Sequence, residues 1–254
     1  MELYIYIIIF IFGSIMGSFL YVLAVRLSNN ESILWPSSHC HNCGHRLKWY
    51  ELIPVISYII QRGKSRCCKT RIPASYLVVE VVTGILYMVS YHSFEFSYEF
   101  IISLVFISSL IVVIVSDIEY MIILDEVLAI GAIIIILLEL LFFGLDYTVH
   151  YIVSGILAFG TMFVIKLIGD RLFKKESMGG GDIKLMFLFG IVIGYALSIC
   201  DIFLATFIAF PVAIFVLFSR KDNLIPFGPF LAMGAILIHI SKIEFNSIID
   251  FLIK

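Results

Sequence analysis

Charged side chains are scarce in this sequence. Asp, Glu, Lys and Arg make up 14% of its 254 residues, whereas a soluble domain carries about 25%. The 17 basic residues are balanced by 19 acidic ones, so the formal net charge is -2 and the basic excess that binds a phosphate backbone is missing. These shortages exclude an ordinary soluble enzyme, a disordered protein and a nucleic-acid partner.

Apolar residues fill the chain instead. They make up 61% of it, and the mean hydropathy is +1.08. A transmembrane helix needs roughly 20 apolar residues, and the composition predicts an all-α polytopic membrane protein with about eight transmembrane helices. The apolar runs lie near 3–25, 73–91, 99–116, 122–144, 149–168, 183–199, 201–218 and 225–240, the last with room to continue toward 252.

The first run is expected to be a retained span rather than a cleaved signal peptide. No Lys or Arg precedes it, and a short apolar core before a small-residue cleavage site is missing. Its small residues, Gly13, Ser14, Gly17 and Ser18, suit close packing of helices in a membrane.

The basic residues predict the orientation. Segments 26–72, 166–184 and 219–224 together hold 15 of the 17 Lys and Arg residues. Because basic loops stay in the cytoplasm, these segments are predicted to be cytoplasmic. The chain is then a single membrane domain, 1–254, with one polar, cysteine-containing cytoplasmic loop, 27–71, that forms a small subdomain.

Several acidic residues lie at membrane depth, where each costs about 2.5–3.5 kcal/mol. Asp117 ends the third run, and Asp182 follows three glycines, Gly179–Gly181, at the start of the sixth. Two spans separate the two acids, so the topology returns them to the same side, where paired carboxylates could act as acid and base. Asp182 could equally be a first-turn helix cap. The other candidates are Glu80, Asp125, Glu126, Glu139 and Asp201.

Four cysteines form a second candidate site. Cys40 and Cys43 make a CxxC pair, and Cys67 and Cys68 follow 24 residues later. Two such pairs are typical of a structural zinc site, although the second pair would be regular only with cysteine at Ser65. The ligands are predicted to be all four cysteines, with His39, His41 and His45 as possible substitutes. The alternative is four free thiols, since a disulfide is disfavoured in the cytoplasm.

Taken in order, the motifs resemble the prepilin peptidases, the GxGD-type aspartic membrane proteases of type IV pilus, type II secretion and competence systems. Gly17-Ser18-Phe19 through Arg26 resembles that family's opening motif, and the cysteine-containing loop continues into Ile53-Pro54 and Arg62-Gly63. Glu80 matches the acid of its second span. Asp117 with Asp125 resembles the pattern D-x6-PD, Gly179 to Leu185 resembles GxGDxKL, and Ile225 to Ala232 resembles the last motif.

The resemblance implies a function. Asp117 and Asp182 would be the catalytic pair. From the residues themselves, Gly179, Gly180 and Gly181 are predicted to let an extended substrate approach Asp182. Glu80 is predicted either to bind substrate, by orienting a polar group or a loop contact, or to have a structural role. The enzyme would cleave the short basic leader of prepilins or pseudopilins after a glycine, at the cytoplasmic face of a bacterial inner membrane. N-methylation of the new N-terminus with S-adenosylmethionine would follow in many members.

Three positions depart from the family pattern: Tyr21 replaces Asn, Leu124 replaces the Pro before Asp125, and Ser65 replaces Cys. A peptidase without methyltransferase activity is therefore one alternative. An ion-coupled transporter is an alternative from a different class, because buried acids also couple ion transport. A scaffold that has lost its activity is a third. Contacts of the basic loop with anionic membrane lipids are expected in each case.

Overall fold

The computed structural model describes residues 2–40, 42–218, 225–243 and 245. The described chain is helical apart from loops and two isolated β-bridges. The prediction of an all-α polytopic membrane protein is confirmed. Contacts divide the chain into two compact units, Met1–Phe96 and Ser97–Lys254, here called unit 1 and unit 2.

Unit 1 consists of two long helices and the polar loop between them. Helix α1 is Glu2–Ser28, α2 is a short helix at Ile56–Ile60, and α3 is Ala74–Phe94. Glycine allows α1 and α3 to approach closely, because a Cβ on Gly13 would lie 2.8 Å from the Cα of Gly84. The polar loop also contains a 3-10 turn at Trp49–Glu51.

The described part of unit 2 contains six helices. They are α4 (Tyr98–Tyr120), α5 (Asp125–Phe143), α6 (Leu145–Phe173), α7 (Gly180–Ile193), α8 (Tyr195–Phe218) and α9 (Gly228–Ser241). Helices α7 and α9 have 14 residues each, which gives a length of about 21 Å, and most of their residues are buried. Asp182 lies in the first turn of α7, and Gly228 is the first residue of α9.

Six described helices, namely α1, α3, α4, α5, α6 and α8, are long and apolar enough to cross a membrane. The eight predicted runs therefore correspond to these six helices and to α7 and α9, which are shorter than a hydrocarbon core of about 30 Å. The part of the last run beyond Ile243, and segment 219–224 with Arg220 and Lys221, lie outside the described residues, apart from Phe245.

One predicted boundary is wrong. The sequence placed the break between the sixth and seventh runs near residue 200, but α7 ends at Ile193 and α8 begins at Tyr195. Gly194 has φ 80°, a backbone conformation that favours glycine and ends the helix. The apolar residues on both sides of Gly194 hid this break, because hydropathy does not report backbone conformation. Helix α6 is also longer than predicted and continues to Phe173.

Candidate active site

Asp117 lies in the last turn of α4, and its side chain is 6% exposed. Met121 follows in a left-handed conformation that ends the helix, and its N–H donates to the Asp117 carbonyl at 2.9 Å. The backbone N–H of Gly228, at the start of α9, donates a hydrogen bond to the Asp117 carboxylate. A Cβ on Gly228 would lie 2.5 Å from Asp117 Oδ2. The first turn of α9 therefore fits against this carboxylate because residue 228 is glycine.

Asp182 lies in the first turn of α7 and is 7% exposed. Its carboxylate accepts a hydrogen bond from the backbone N–H of Gly179, in the manner of a helix cap. The charge of Asp117 acts on Asp182 directly, so the two carboxylates are electrostatic neighbours. Asp182 thus has both features that the sequence analysis treated as alternatives: it caps a helix and it lies near a second acid.

Both acids line one cavity of about 990 Å³. Its wall comes from the end of α4, the α4–α5 connection, residues 176–182 and the segment that precedes α9. The lining residues include Asp117, Met121, Ile123, Asp125, Ser177, Met178, Asp182, Lys184, Pro226 and Phe227. A cavity of this volume can hold several residues of an extended peptide.

Ile123 fixes the arrangement of the two short helices. A Cβ on Gly181 would lie 2.5 Å from Ile123 Cβ, and a Cβ on Gly228 would lie 3.1 Å from Ile123 Cδ1. The Ile123 side chain therefore contacts the first turns of both α7 and α9, which hold Asp182 and the amide that binds Asp117. Sequence reasoning missed this residue, because an isoleucine in an apolar protein carries no distinguishing signal.

The three consecutive glycines differ in their surroundings. No atom of the described residues lies within 4 Å of a Cβ position on Gly180, whereas a Cβ on Gly181 would meet Ile123 and one on Gly179 would lie 3.4 Å from Asp182 Oδ2. All three line the cavity. Gly181 thus leaves room for the Ile123 side chain. The backbone at Gly180, in contrast, is open to a ligand.

An ion pair links two walls of the cavity. Lys184 Nζ lies 2.5 Å from Asp125 Oδ2 and connects the first turn of α7 to that of α5. Glu176 also lines the cavity, and its carboxylate lies 3.6 Å from Lys166 Nζ. Asp125 and Glu126 are exposed, whereas Glu139 and Asp201 are buried and do not line this cavity.

The four cysteines of unit 1 lie together. The Sγ atoms of Cys40, Cys43, Cys67 and Cys68 are all within 4.8 Å of one another, with Cys40 to Cys68 at 3.5 Å and Cys43 to Cys67 at 3.1 Å. Zn–S bonds of about 2.3 Å in a tetrahedron place sulfurs about 3.8 Å apart, so the four positions match such a site. His39 directs Nδ1 to the Ser37 carbonyl, and His41 lies outside the described residues.

Ser65 lies beside the four thiols of the cluster and contacts Cys68 through its hydroxyl. Its hydroxyl lies 3.2 Å from Cys68 Sγ, and the Thr70 hydroxyl lies 3.1 Å from the same atom. These hydrogen bonds lower the pKa of the Cys68 thiol to about 5, which favours the thiolate that binds metal. Cys67 thus belongs to the cluster, and Ser65 contributes a hydrogen bond to Cys68 rather than a ligand.

Glu80 has a specific partner within unit 1. It is 7% exposed and accepts a hydrogen bond of 2.7 Å from the backbone N–H of Val55. Val55 has φ 62° and ψ -56°, a strained conformation for a β-branched residue. The carboxylate of Glu80 thereby stabilises the tight turn that begins α2. Elsewhere in the same loop, the Arg26 guanidinium donates hydrogen bonds to the carbonyls of Ser32, Ile33 and Pro36.

Comparison with known families gives two matches on this chain. Residues 11–94 match the bacterial peptidase A24 N-terminal domain, and residues 104–215 match the type IV leader peptidase family. The cysteine cluster lies within the first match, and Asp117 and Asp182 lie within the second.

Individual proteins match over nearly the full length. The chain is 36% identical over 250 residues to a prepilin leader peptidase/N-methyltransferase of Bacillus subtilis, with 97% of each chain covered. It is 30% identical to a protein of the same name from Vibrio cholerae, over 94% of this chain and 98% of that one. A third, from Pseudomonas aeruginosa, is 30% identical over 80% and 71% respectively. No solved structure matches.

Proposed function

Because the chain belongs to the type IV leader peptidase family, we propose that Asp117 and Asp182 are the catalytic pair with which it hydrolyses a prepilin-type precursor. The chain is an integral membrane peptidase, and prepilin processing is the activity of its family. The observation that supports this assignment is the single cavity lined by both acids, each of them more than nine-tenths buried.

The pair is suited to hydrolysis by activated water. Two neighbouring carboxylates cannot both ionise cheaply, so they share one proton. The ionised carboxylate accepts a proton from water as the water oxygen attacks the peptide carbonyl, and the protonated one donates to the carbonyl oxygen. When the C–N bond breaks, a proton passes to the leaving amine. No covalent acyl-enzyme is formed, and the Gly228 backbone N–H interacts with the Asp117 carboxylate.

The substrate proposal follows from the family and from the charges at the cavity. The substrate is a prepilin or pseudopilin whose short basic leader is removed after a glycine. Asp125 and Glu176 at the cavity are acids that a basic leader could contact, and Gly180 leaves room for an extended backbone. In the orientation predicted from Lys and Arg, cleavage occurs at the cytoplasmic face of the inner membrane.

The cysteine cluster is proposed to hold a structural zinc ion. Cys40, Cys43, Cys67 and Cys68 would be its ligands, and the geometry of their sulfurs fits four-coordinate zinc. Zinc bound there would cross-link the two ends of the polar loop. Hydrogen bonds from the backbone N–H groups of Cys43 and Asn42 lower the pKa of Cys40, whereas the hydrogen bond with Cys67 raises the pKa of Cys43 to about 12.

N-methylation with S-adenosylmethionine is proposed from the family name alone. Gly13, Gly17 and Gly84, the glycines of the unit 1 helices, pack against neighbouring helix atoms and so form no cradle for a cofactor. The roles of Glu80 in substrate binding and of 1–254 as a single domain stay predictions.

The test is cleavage of a pilin-like precursor in membranes by the wild type, Asp117→Asn and Asp182→Asn, each matched for expression. Asn keeps the size of the side chain, so we expect a loss of at least about 10³-fold through chemistry alone. Asp201→Asn is the matched control, because Asp201 is fully buried but lies outside the cavity.

Mass spectrometry of the mature product distinguishes the alternatives. The cut is expected after a glycine, and the mass of one additional methyl group would establish methylation. An unmethylated product from the wild type supplied with S-adenosylmethionine would favour the peptidase without methyltransferase activity. Full cleavage by both Asn variants would contradict the catalytic assignment.

A further inference from the structure

The polar loop of unit 1 has a basic cavity that the peptidase mechanism does not use. This cavity has a volume of about 260 Å³. Four of its six lining residues are cations, and all four are exposed; the lining consists of Ile60, Gln61, Arg62, Lys64, Arg66 and Lys69.

The four cations are not neutralised within the described part of unit 1. The ion pairs found among the described residues both lie in unit 2. Segment 27–71 contains seven Lys or Arg residues but two acids, Glu31 and Glu51, and Glu51 accepts a hydrogen bond from the Lys48 backbone N–H. Clustered cations without acidic partners are suited to bind an anion, and phosphate oxygens accept hydrogen bonds from both ammonium and guanidinium groups.

An exposed apolar ridge adjoins this cavity. Ile56, Ile59 and Ile60 project from α2, with Ile59 and Ile60 62% and 64% exposed, and Trp49 in the neighbouring turn is 76% exposed. Ile60 belongs to both the ridge and the cavity lining. Such contiguous apolar exposure next to charge marks an interaction surface rather than ordinary solvent exposure.

A ring contact joins the two parts of the surface. The Arg66 guanidinium lies 5.1 Å from the centroid of the Tyr50 ring, and Tyr50 packs edge-on against Trp49 with centroids 5.8 Å apart. The indole, the phenol and the cationic side chains thus form one continuous patch. Aromatic rings with one apolar side and one polar side are typical of the membrane–water interface.

The position of the loop identifies the occupant. It connects α1 to α3, both of which are long and apolar enough to cross a membrane, so both of its ends are anchored at a membrane surface. A basic precursor leader would be repelled by the four cations. A lipid with an anionic headgroup can neutralise the cations of the cavity while its acyl chain packs against the apolar ridge.

We propose that the cavity formed by Arg62, Lys64, Arg66 and Lys69, together with the ridge of Trp49, Ile56, Ile59 and Ile60, binds the phosphate headgroup and upper acyl chain of an anionic phospholipid. The loop is thereby held against the bilayer. The proposed site contains none of the four cysteines, although Arg66 and Lys69 flank Cys67 and Cys68 in sequence.

The test uses the full chain purified in an uncharged detergent. The chain has two tryptophans, so a Trp35→Phe background leaves Trp49 as the only indole reporter. Short-chain phosphatidylglycerol, short-chain phosphatidylcholine and inorganic phosphate are each titrated while the Trp49 emission is recorded. We expect phosphatidylglycerol to bind at least about tenfold more tightly than phosphatidylcholine, with a blue shift of the emission.

Charge variants test the cavity itself. Lys64→Gln with Arg66→Gln should weaken phosphatidylglycerol binding about 25-fold, or about fivefold per cation, and leave phosphatidylcholine binding unchanged. The swap Lys64→Arg with Arg66→Lys keeps both charges and should bind as the wild type does. Lys174→Gln with Lys175→Gln, an exposed pair outside the patch, is the control for total charge and should change nothing.

Four results would overturn the proposal. Inorganic phosphate binding as tightly as phosphatidylglycerol would indicate a site for a soluble anion. Equal affinity for the two lipids would show that the headgroup charge is not recognised. A loss in the charge-preserving swap equal to that in the Gln pair would assign the effect to folding, and an equal loss in the control pair would assign it to unspecific charge.

Discussion

The candidate sites in the polar loop of unit 1 and in the cavity of unit 2 are assembled from the chain in different ways. In the loop, four cysteines from one stretch of chain form a cluster near the surface, and cations and apolar side chains beside it are exposed. In unit 2, Asp117 and Asp182 are 65 residues apart in sequence, both are buried, and each depends on a helix end. The loop site is local and exposed, whereas the cavity requires the packing of several helices.

This contrast predicts different sensitivity to small changes. The cavity depends on glycines at which even one methyl group meets a neighbour, because protein interiors are close-packed. The cysteine cluster depends on ligand chemistry and on the loop that supplies the ligands. The following predictions run from the largest expected effect to the smallest.

Gly181→Ala should reduce cleavage at least about 100-fold, because its Cβ would meet Ile123 at 2.5 Å and displace the turn that holds Asp182. Gly160→Ala, inside α6 and outside the cavity, is the matched control, since no atom of the described residues lies within 4 Å of its Cβ position. Alanine there should raise helix stability by about 0.5–1 kcal/mol relative to glycine and retain cleavage in the same membrane assay. Equal activity of the two variants would show that contact with Ile123 does not position the site.

Cys43→Ser should lose most of its bound zinc but retain cleavage within about tenfold, because the cysteine cluster supplies no group to the hydrolysis. Metal content per chain, measured on purified protein, and precursor cleavage provide the two readouts. Cys200→Ser is the control, since Cys200 lies outside the cluster, and it should retain both metal and activity. A purified wild type without zinc would contradict the proposed metal, and a loss of cleavage as large as that of Asp117→Asn would contradict the contrast between the two sites.

Lys184→Gln and Asp125→Asn should have the smallest effects. The side chains of this pair are 48% and 60% exposed, so solvent screening limits its worth to about 0.2–1 kcal/mol. We expect each variant to cleave about 1.4- to fivefold more slowly, and the double variant to be no worse than either single variant, in a double-mutant cycle of cleavage rates. Lys174→Gln, which removes an exposed charge outside the cavity, is the control and should cleave as the wild type does. If the rate losses of the two single variants multiply in the double variant, the two residues act independently.

The sequence predicted the parts of this molecule that depend on composition and order. Helical spans follow from long apolar runs, and the placement of Asp117 and Asp182 near one another was allowed by the two spans between them. The cysteine cluster could be predicted because its ligands are close in sequence. The spacing alone did not establish whether Cys67 could be a ligand in place of the cysteine that a regular CxxC pair would have at position 65. The answer depends on how the loop turns.

Other features depend on backbone geometry and contacts between distant residues. The break at Gly194 is set by one positive φ angle within an apolar stretch, and the role of Ile123 arises from its fit between two glycines. The Gly228 amide that binds Asp117 lies 111 residues further along the chain. Neither hydropathy nor motif spacing reports such contacts.

The most direct test of the central claim is the rate of precursor cleavage by purified Asp117→Asn, Asp182→Asn and the double variant. If the two acids act as one catalytic unit, each single variant loses at least about 10³-fold in kcat/KM, and the double variant loses no more than about threefold beyond that. Losses that multiply in the double variant, or a single variant with near wild-type rates, would contradict the account.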